Sequence, residues 1–221
     1  MPDRITLELV DEQAARGNGL DGGHSATRGS FLKKLLGGGT LIAGGVVFGG
    51  LPTVALGNHT SSAARDRDIL NFALTLEFLE AEFYTEAENR GGLSGEALRF
   101  ARVVGAHERA HVQFLQQALG SAARTKPCFN FGETTRNQQQ FLATARVLED
   151  TGVAAYNGQV DRVSTALVAP AASIVSVEAR HAAWVRDILD MTPAPQAFDQ
   201  ARSREQIEQA VAGTGFIVPC P

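Results

Sequence analysis

Cysteine is nearly absent: the 221 residues hold only Cys128 and Cys220, with no Cys-x-x-Cys pair. That excludes a thiolate zinc site and a rubredoxin-type iron site. Basic excess is absent too. Twenty Lys and Arg stand against 24 Asp and Glu, a formal net charge of −4, so nothing in the composition points to nucleic acid or an anionic membrane surface. Aromatic content is low, at 7%, and no stretch alternates apolar and polar residues as a half-buried strand does. Alanine is abundant, which favours helices. With 44% hydrophobic and 20% charged residues, the composition is that of a globular domain with additional segments. In an exported protein the two cysteines would form one disulfide, tying the C-terminal tail to the loop after the second helix. The alternative is two free thiols.

Residues Met1 to Thr27 are polar and Gly-rich, without apolar periodicity. Arg28-Gly29-Ser30-Phe31-Leu32-Lys33-Lys34 follows, and then Leu35 to Gly57 carries no charge at all. A basic region, an apolar run and small residues at Ala55-Leu56-Gly57, in that order, predict a cleaved export signal over residues 1–57. The pattern resembles a twin-arginine signal with Gly29 in place of the second arginine, so the twin-arginine and general secretory routes both stay open. An uncleaved anchor is the alternative, because the run is long enough to span about 30 Å of hydrocarbon. Its eight glycines and Pro52 argue against that. The expected location is the periplasm, cell envelope or exterior of a bacterium, with membrane contact only if the segment is retained.

From Arg65 the pattern is helical. The expected helices run from about Arg65 to Asn89, Ser94 to Leu119, Thr135 to Tyr156 and Ser164 to Met191, the last kinked or restarted at Pro170. Gly91-Gly92, Gly120 and Asn157-Gly158 supply stops. A short amphipathic helix near Arg202 to Val211 leads into an irregular tail, so that 65–191 form the bundle and 192–221 an appendage. Four helices of this length joined by mostly short loops predict an all-α antiparallel four-helix bundle. The link from second to third helix is the longest.

Acids fall where apolar residues belong. Leu70, Ala73, Leu74, Glu77, Ala81 and Tyr84 share one helical face, and Leu142, Ala145, Glu149, Val153 and Tyr156 repeat it. The second helix places Glu108 and His111 among Ala101, Val104, Val112 and Leu115; the fourth places Glu178 and His181 among Ala171, Ile174, Ala182 and Val185. The order Glu-x6-Tyr then Glu-x2-His therefore occurs twice. Glu77 and Glu108 are 31 residues apart, Glu149 and Glu178 are 29, so the chain is an internal repeat of two helix hairpins. A lone Glu-x2-His on a helix is ordinarily a solvated face. Two, each with a matched Glu-x6-Tyr partner, are hard to obtain by coincidence.

Four carboxylates facing one core repel one another and lose hydration, and an unpaired buried ion costs several kcal/mol. No lysine or arginine lies at the centre of these stripes; Arg146 is at the edge of one. Two divalent cations balance four carboxylates, and carboxylate with imidazole suits iron, manganese or zinc. One Glu from each of two helices plus Glu-x-x-His from each of the other two is the ligand pattern of di-iron and di-manganese carboxylate bundles.

These residues resemble the ferritin-like superfamily. The runs 70–77, 149–158 and 176–182 are similar to the bacterial ferritin-like domain family related to plant desiccation-related proteins, over roughly Asp66 to Leu189. The resemblance implies a di-metal bundle, often exported, with two iron ions or, alternatively, manganese, a mixed iron–manganese pair or zinc. It implies Glu77 and Glu149 as terminal ligands, Glu108 and Glu178 as bridging or chelating ones, and His111 and His181 completing one metal each. Tyr84 and Tyr156 match tyrosines beside di-iron centres, as hydrogen-bond or electron donors; the plainer reading is core aromatics with satisfied hydroxyls. Glu80 is expected as a surface acid or a partner to the ligands, Glu82, Glu86 and Glu88 as solvated, His107 as an inter-helix histidine pointing elsewhere, and Trp184 as packing. The expected function is oxidation of Fe(II) or reduction of dioxygen or hydrogen peroxide in stress protection. A non-catalytic, metal-stapled or desiccation-protective protein, or an iron store built as a homo-oligomer, are the alternatives.

Overall fold

The structure, a computed structural model, describes residues 62–221. The expected export signal lies outside the described residues. Four long helices carry the fold: α1 (Ala63–Arg90), α2 (Gly95–Leu119), α3 (Gln138–Asn157) and α4 (Thr165–Ile188). A shorter α5 (Arg204–Thr214) follows, and two-residue strands β1 (Cys128–Phe129) and β2 (Ile217–Val218) pair antiparallel. Among the described residues no helix is long and apolar enough to cross a membrane.

Local chemistry sets the ends. Ser62 accepts from Arg65 N at 3.2 Å and caps α1. Gly91, at φ 71, takes the left-handed turn that stops it. Helix α3 starts three residues later than expected, because Gly132–Thr135 wind into a 3-10 turn and Asn137 caps the helix through Gln140 N. Helix α4 runs unbroken through Pro170. The proline is the helix's sixth residue, near its start, where one lost backbone bond is tolerated.

Helix directions follow from the side-chain pairs. Glu77 meets Tyr156 and Tyr84 meets Glu149, so α1 and α3 are antiparallel. His111 lies against Glu178 and His181 against Glu108, so α2 and α4 are antiparallel as well. With each hairpin itself antiparallel, α2 and α3 run in the same direction. Only a connection spanning the bundle permits that, hence the long segment 120–137.

Phe83, Tyr84, Phe100, Phe131 and Phe141 form a buried aromatic cluster. Phe83 stacks on Phe141 at 5.2 Å, and Tyr84 meets Phe100 and Phe141 edge-on. Ile207 and Val211 of α5 join the same core. The tail is not irregular throughout: β2 pairs with β1, Asn130 N donates to Phe216 O at 2.9 Å, and Cys128 and Cys220 form a disulfide. Strands of two residues are too short to leave a periodic signal in the sequence.

Candidate metal centre

All six expected ligands converge. Glu77 comes from α1, Glu108 and His111 from α2, Glu149 from α3, and Glu178 and His181 from α4, and the four carboxylates are 0–1% exposed. Two sets of four ligand atoms form, each with all members within 4.8 Å of one another. One is Glu77, Glu108, His111 and Glu178; the other is Glu108, Glu149, Glu178 and His181. Glu108 and Glu178 belong to both.

His111 Nδ1 lies 3.2 Å from Glu77 Oε2, 3.1 Å from Glu108 Oε2 and 3.1 Å from Glu178 Oε1. His181 Nδ1 lies 3.1 Å from Glu108 Oε1 and 3.2 Å from Glu149 Oε2. Two donors each about 2.0–2.2 Å from a shared cation, at angles of about 90–109°, stand about 2.8–3.6 Å apart. The observed separations fall in that range. Glu77 Oε2, Glu108 Oε1 and both oxygens of Glu178 are buried without a hydrogen bond. Buried carboxylate oxygens so placed beside imidazoles fit a cation.

The protonation of the cluster carries the same message. Burial alone would lower His111 and His181, but contacts with Glu108 and Glu178, and with Glu77 and Glu149 respectively, push each up to about 12. Burial and the charge of Glu178 hold Glu108 well above the usual carboxylate range. Glu149 is raised to about 7, first by burial. Protons thus do the neutralising that a cation would do by displacing them.

The tyrosines cross over. Tyr84, on the helix of Glu77, donates to Glu149; Tyr156, on the helix of Glu149, donates to Glu77 Oε1 at 2.5 Å. Burial, then the charge of the partner glutamate, raises both phenols well above their ordinary value, so both hydrogens stay in place. Gly105 lets α2 close on α1 here: a Cβ at 105 would stand 2.9 Å from Tyr84 Cβ.

The structure decides between the two readings of Glu80 and, while His107 does link two helices, corrects where it points. Glu80 is no surface acid: it is 3% exposed, and burial followed by the charges of Glu178 and Glu149 raises its carboxyl well above the usual range. His107 does not point elsewhere. Its Nδ1 is 2.9 Å from His181 Nε2, the rings nearly parallel at 17° with centroids 5.1 Å apart, as an edge-to-edge hydrogen bond requires. It fixes the ring whose other nitrogen faces the carboxylates. The signal for Glu80 was its i+3 spacing from Glu77; for His107 none was available, because its partner lies 74 residues away. Glu82, Glu86 and Glu88 remain partly exposed and pair with Lys126, Arg90 and Arg109. Trp184 packs edge-on to Phe100 and donates to Glu96.

A ferritin-like domain model matches residues 65–191, which span the four long helices. The chain belongs to the ferritin-like domain family. No curated protein matches it at a significant level. The ferritin-like domain thus brings a buried Glu/His cluster able to hold a metal ion.

Proposed function

We propose that this ferritin-like domain is an exported di-metal redox protein, with two iron ions in its core, acting on hydrogen peroxide or dioxygen. The observation that carries the reading is the paired ligand set sharing Glu108 and Glu178, with a phenol on each terminal carboxylate. Two sets sharing two carboxylates suit two ions side by side rather than one. Imidazole with carboxylate suits iron or manganese, and four glutamates balance two dications.

When bound, two Fe(II) ions would supply the two electrons that, with two protons, convert one hydrogen peroxide to two waters. The chain's own residues set the conditions. Glu77 and Glu149 would each hold one ion, steadied by Tyr156 and Tyr84. The two phenols hold their hydrogens against the carboxylates, so that a ring giving one electron to the peroxide or dioxygen would pass its proton to the glutamate. Leu74, Leu115 and the aromatic cluster exclude bulk water. Beside Tyr156 an apolar cavity of about 40 Å³, lined by Ile69, Phe72, Leu115 and Ile174 among others, offers room for a small oxidant.

The test is metal analysis of the purified mature protein, followed by peroxide and dioxygen consumption after Fe(II) loading. Two irons per chain with turnover supports the reading. Two irons without turnover, and a melting temperature that falls on chelation, would make the metals a structural staple instead.

A further inference from the structure

The two halves of the repeat are not equivalent at their centres. Aligning Glu77 with Glu149 and Tyr84 with Tyr156 sets Glu80 of α1 against Gly152 of α3. Aligning Glu108 with Glu178 and His111 with His181 sets His107 against Val177. Both departures add a polar group on the side of Glu149 and His181, and neither adds one on the side of Glu77 and His111.

We propose that Glu80 is a seventh metal-binding side chain, a carboxylate ligand of the ion held by Glu149, Glu178 and His181, and that it makes this position the tighter of the two. The inference rests on the dinuclear reading above. Its geometric basis is the space over Gly152. A Cβ built there would stand 3.4 Å from Glu178 Oε2 and 3.4 Å from Glu80 Oε1. One oxygen of each carboxylate therefore lies in contact range of the same point over bare backbone, which a longer side chain at 152 would occupy.

Glu178 Oε2 is buried and makes no hydrogen bond, and Glu80 is 97% buried (3% exposed). No salt bridge among the described residues includes Glu80. A charged carboxylate so placed costs several kcal/mol unless a cation compensates it. Glu77 lies against His111 at the other position, whereas Glu80 shares the space over Gly152 with the Glu178 oxygen that lies 3.9 Å from His181 Nδ1. Affinity of oxygen sites for hard cations rises with the number of charged ligands. The Glu149 position would then have two unshared carboxylates, Glu149 and Glu80, where the other has Glu77 alone.

The test is titration of the metal-free full domain with Co(II) or Mn(II) against a chromophoric chelator, for the unaltered chain, Glu80→Gln and Glu80→Asp. The unaltered chain should bind two ions with separated affinities. Glu80→Gln should weaken the tighter step about 10- to 100-fold and bring the two together; Glu80→Asp, which keeps the charge and shortens the reach, should fall between. Far-UV circular dichroism checks that each variant folds, and Glu80→Asp alone suffices if the glutamine variant does not. Two unchanged steps in the folded variants would overturn the role of Glu80 and make it a neutral carboxyl, leaving the dinuclear reading intact. Fewer than two ions on the unaltered chain would overturn both.

Discussion

Tyr84 does not serve the glutamate of its own helix; it donates its hydrogen to Glu149 on α3, and Tyr156 of α3 donates to Glu77 in return. Each phenol thus couples one hairpin's ligand to the other hairpin's core. Tyr84→Phe and Tyr156→Phe each leave a buried carboxylate oxygen unsatisfied. The expected cost is about 1–3 kcal/mol apiece, read by urea unfolding of the metal-free protein. Metal stoichiometry should stay unchanged, since no ligand atom is removed.

The metal-free and metal-loaded forms should respond to pH in opposite senses. In the metal-free fold Glu149 is raised to about 7, and His111 and His181 to about 12. Each binds protons more tightly folded than unfolded. Stability from the glutamate is therefore present below about pH 4.5 and lost as pH rises through about 7. That from the histidines is present below about pH 6.5 and lost as pH rises through about 12. Glu178, lowered to about 2 against burial by its contacts with His111 and His181, adds stability that is lost only as pH falls from about 4.5 through 2. Melting temperature without metal should fall from mildly acidic to alkaline pH. With metal it should rise over the neutral range, because the ion needs deprotonated ligands. Loading the metal-free protein in weak buffer at neutral pH should release at least one proton per ion, measurable with an indicator dye.

The positions of the six ligands could be read from the sequence because each sits on a stripe whose period is that of its own helix. An acid among leucines and alanines at 3.6-residue spacing is visible without knowing what it faces. Glu80 could not be placed that way. Three residues beyond Glu77 it lies at the stripe's edge, and its burial is decided by packing across the bundle, where Gly152 of another helix lies against it. His107 is likewise decided across the bundle, by His181. The sequence leaves one disulfide and two free thiols both open, because two cysteines far apart in sequence say nothing about separation in space. The β1–β2 pairing that brings them together is too short to register.

Breaking that disulfide should separate overall stability from the metal centre. Cys128 and Cys220 close a loop of 92 residues, and Cys128→Ser or reduction should cost about 2–5 kcal/mol in denaturant unfolding. None of the six ligands lies on β1 or β2. Metal uptake at moderate temperature should therefore match that of the oxidised protein, while the melting temperature falls.

His107 gives the sharpest test of whether the two halves differ. Burial first, then the nearby His181 and His111, lower its pKa, so it stays neutral and its Nδ1 accepts from His181 Nε2. That bond leaves His181 Nδ1 facing Glu108 and Glu149, where a metal ion would take the place of its proton. His111 has Val177, not a second imidazole, at the matching place in the repeat. His107→Ala should weaken one of two metal-binding steps by about 10- to 100-fold and spare the other. His107→Gln, whose side-chain oxygen can accept the same hydrogen, should recover part of that loss. A chelator-competition titration reads both; equal weakening of the two steps would mean that His107 acts through general packing and not through the His181 ring.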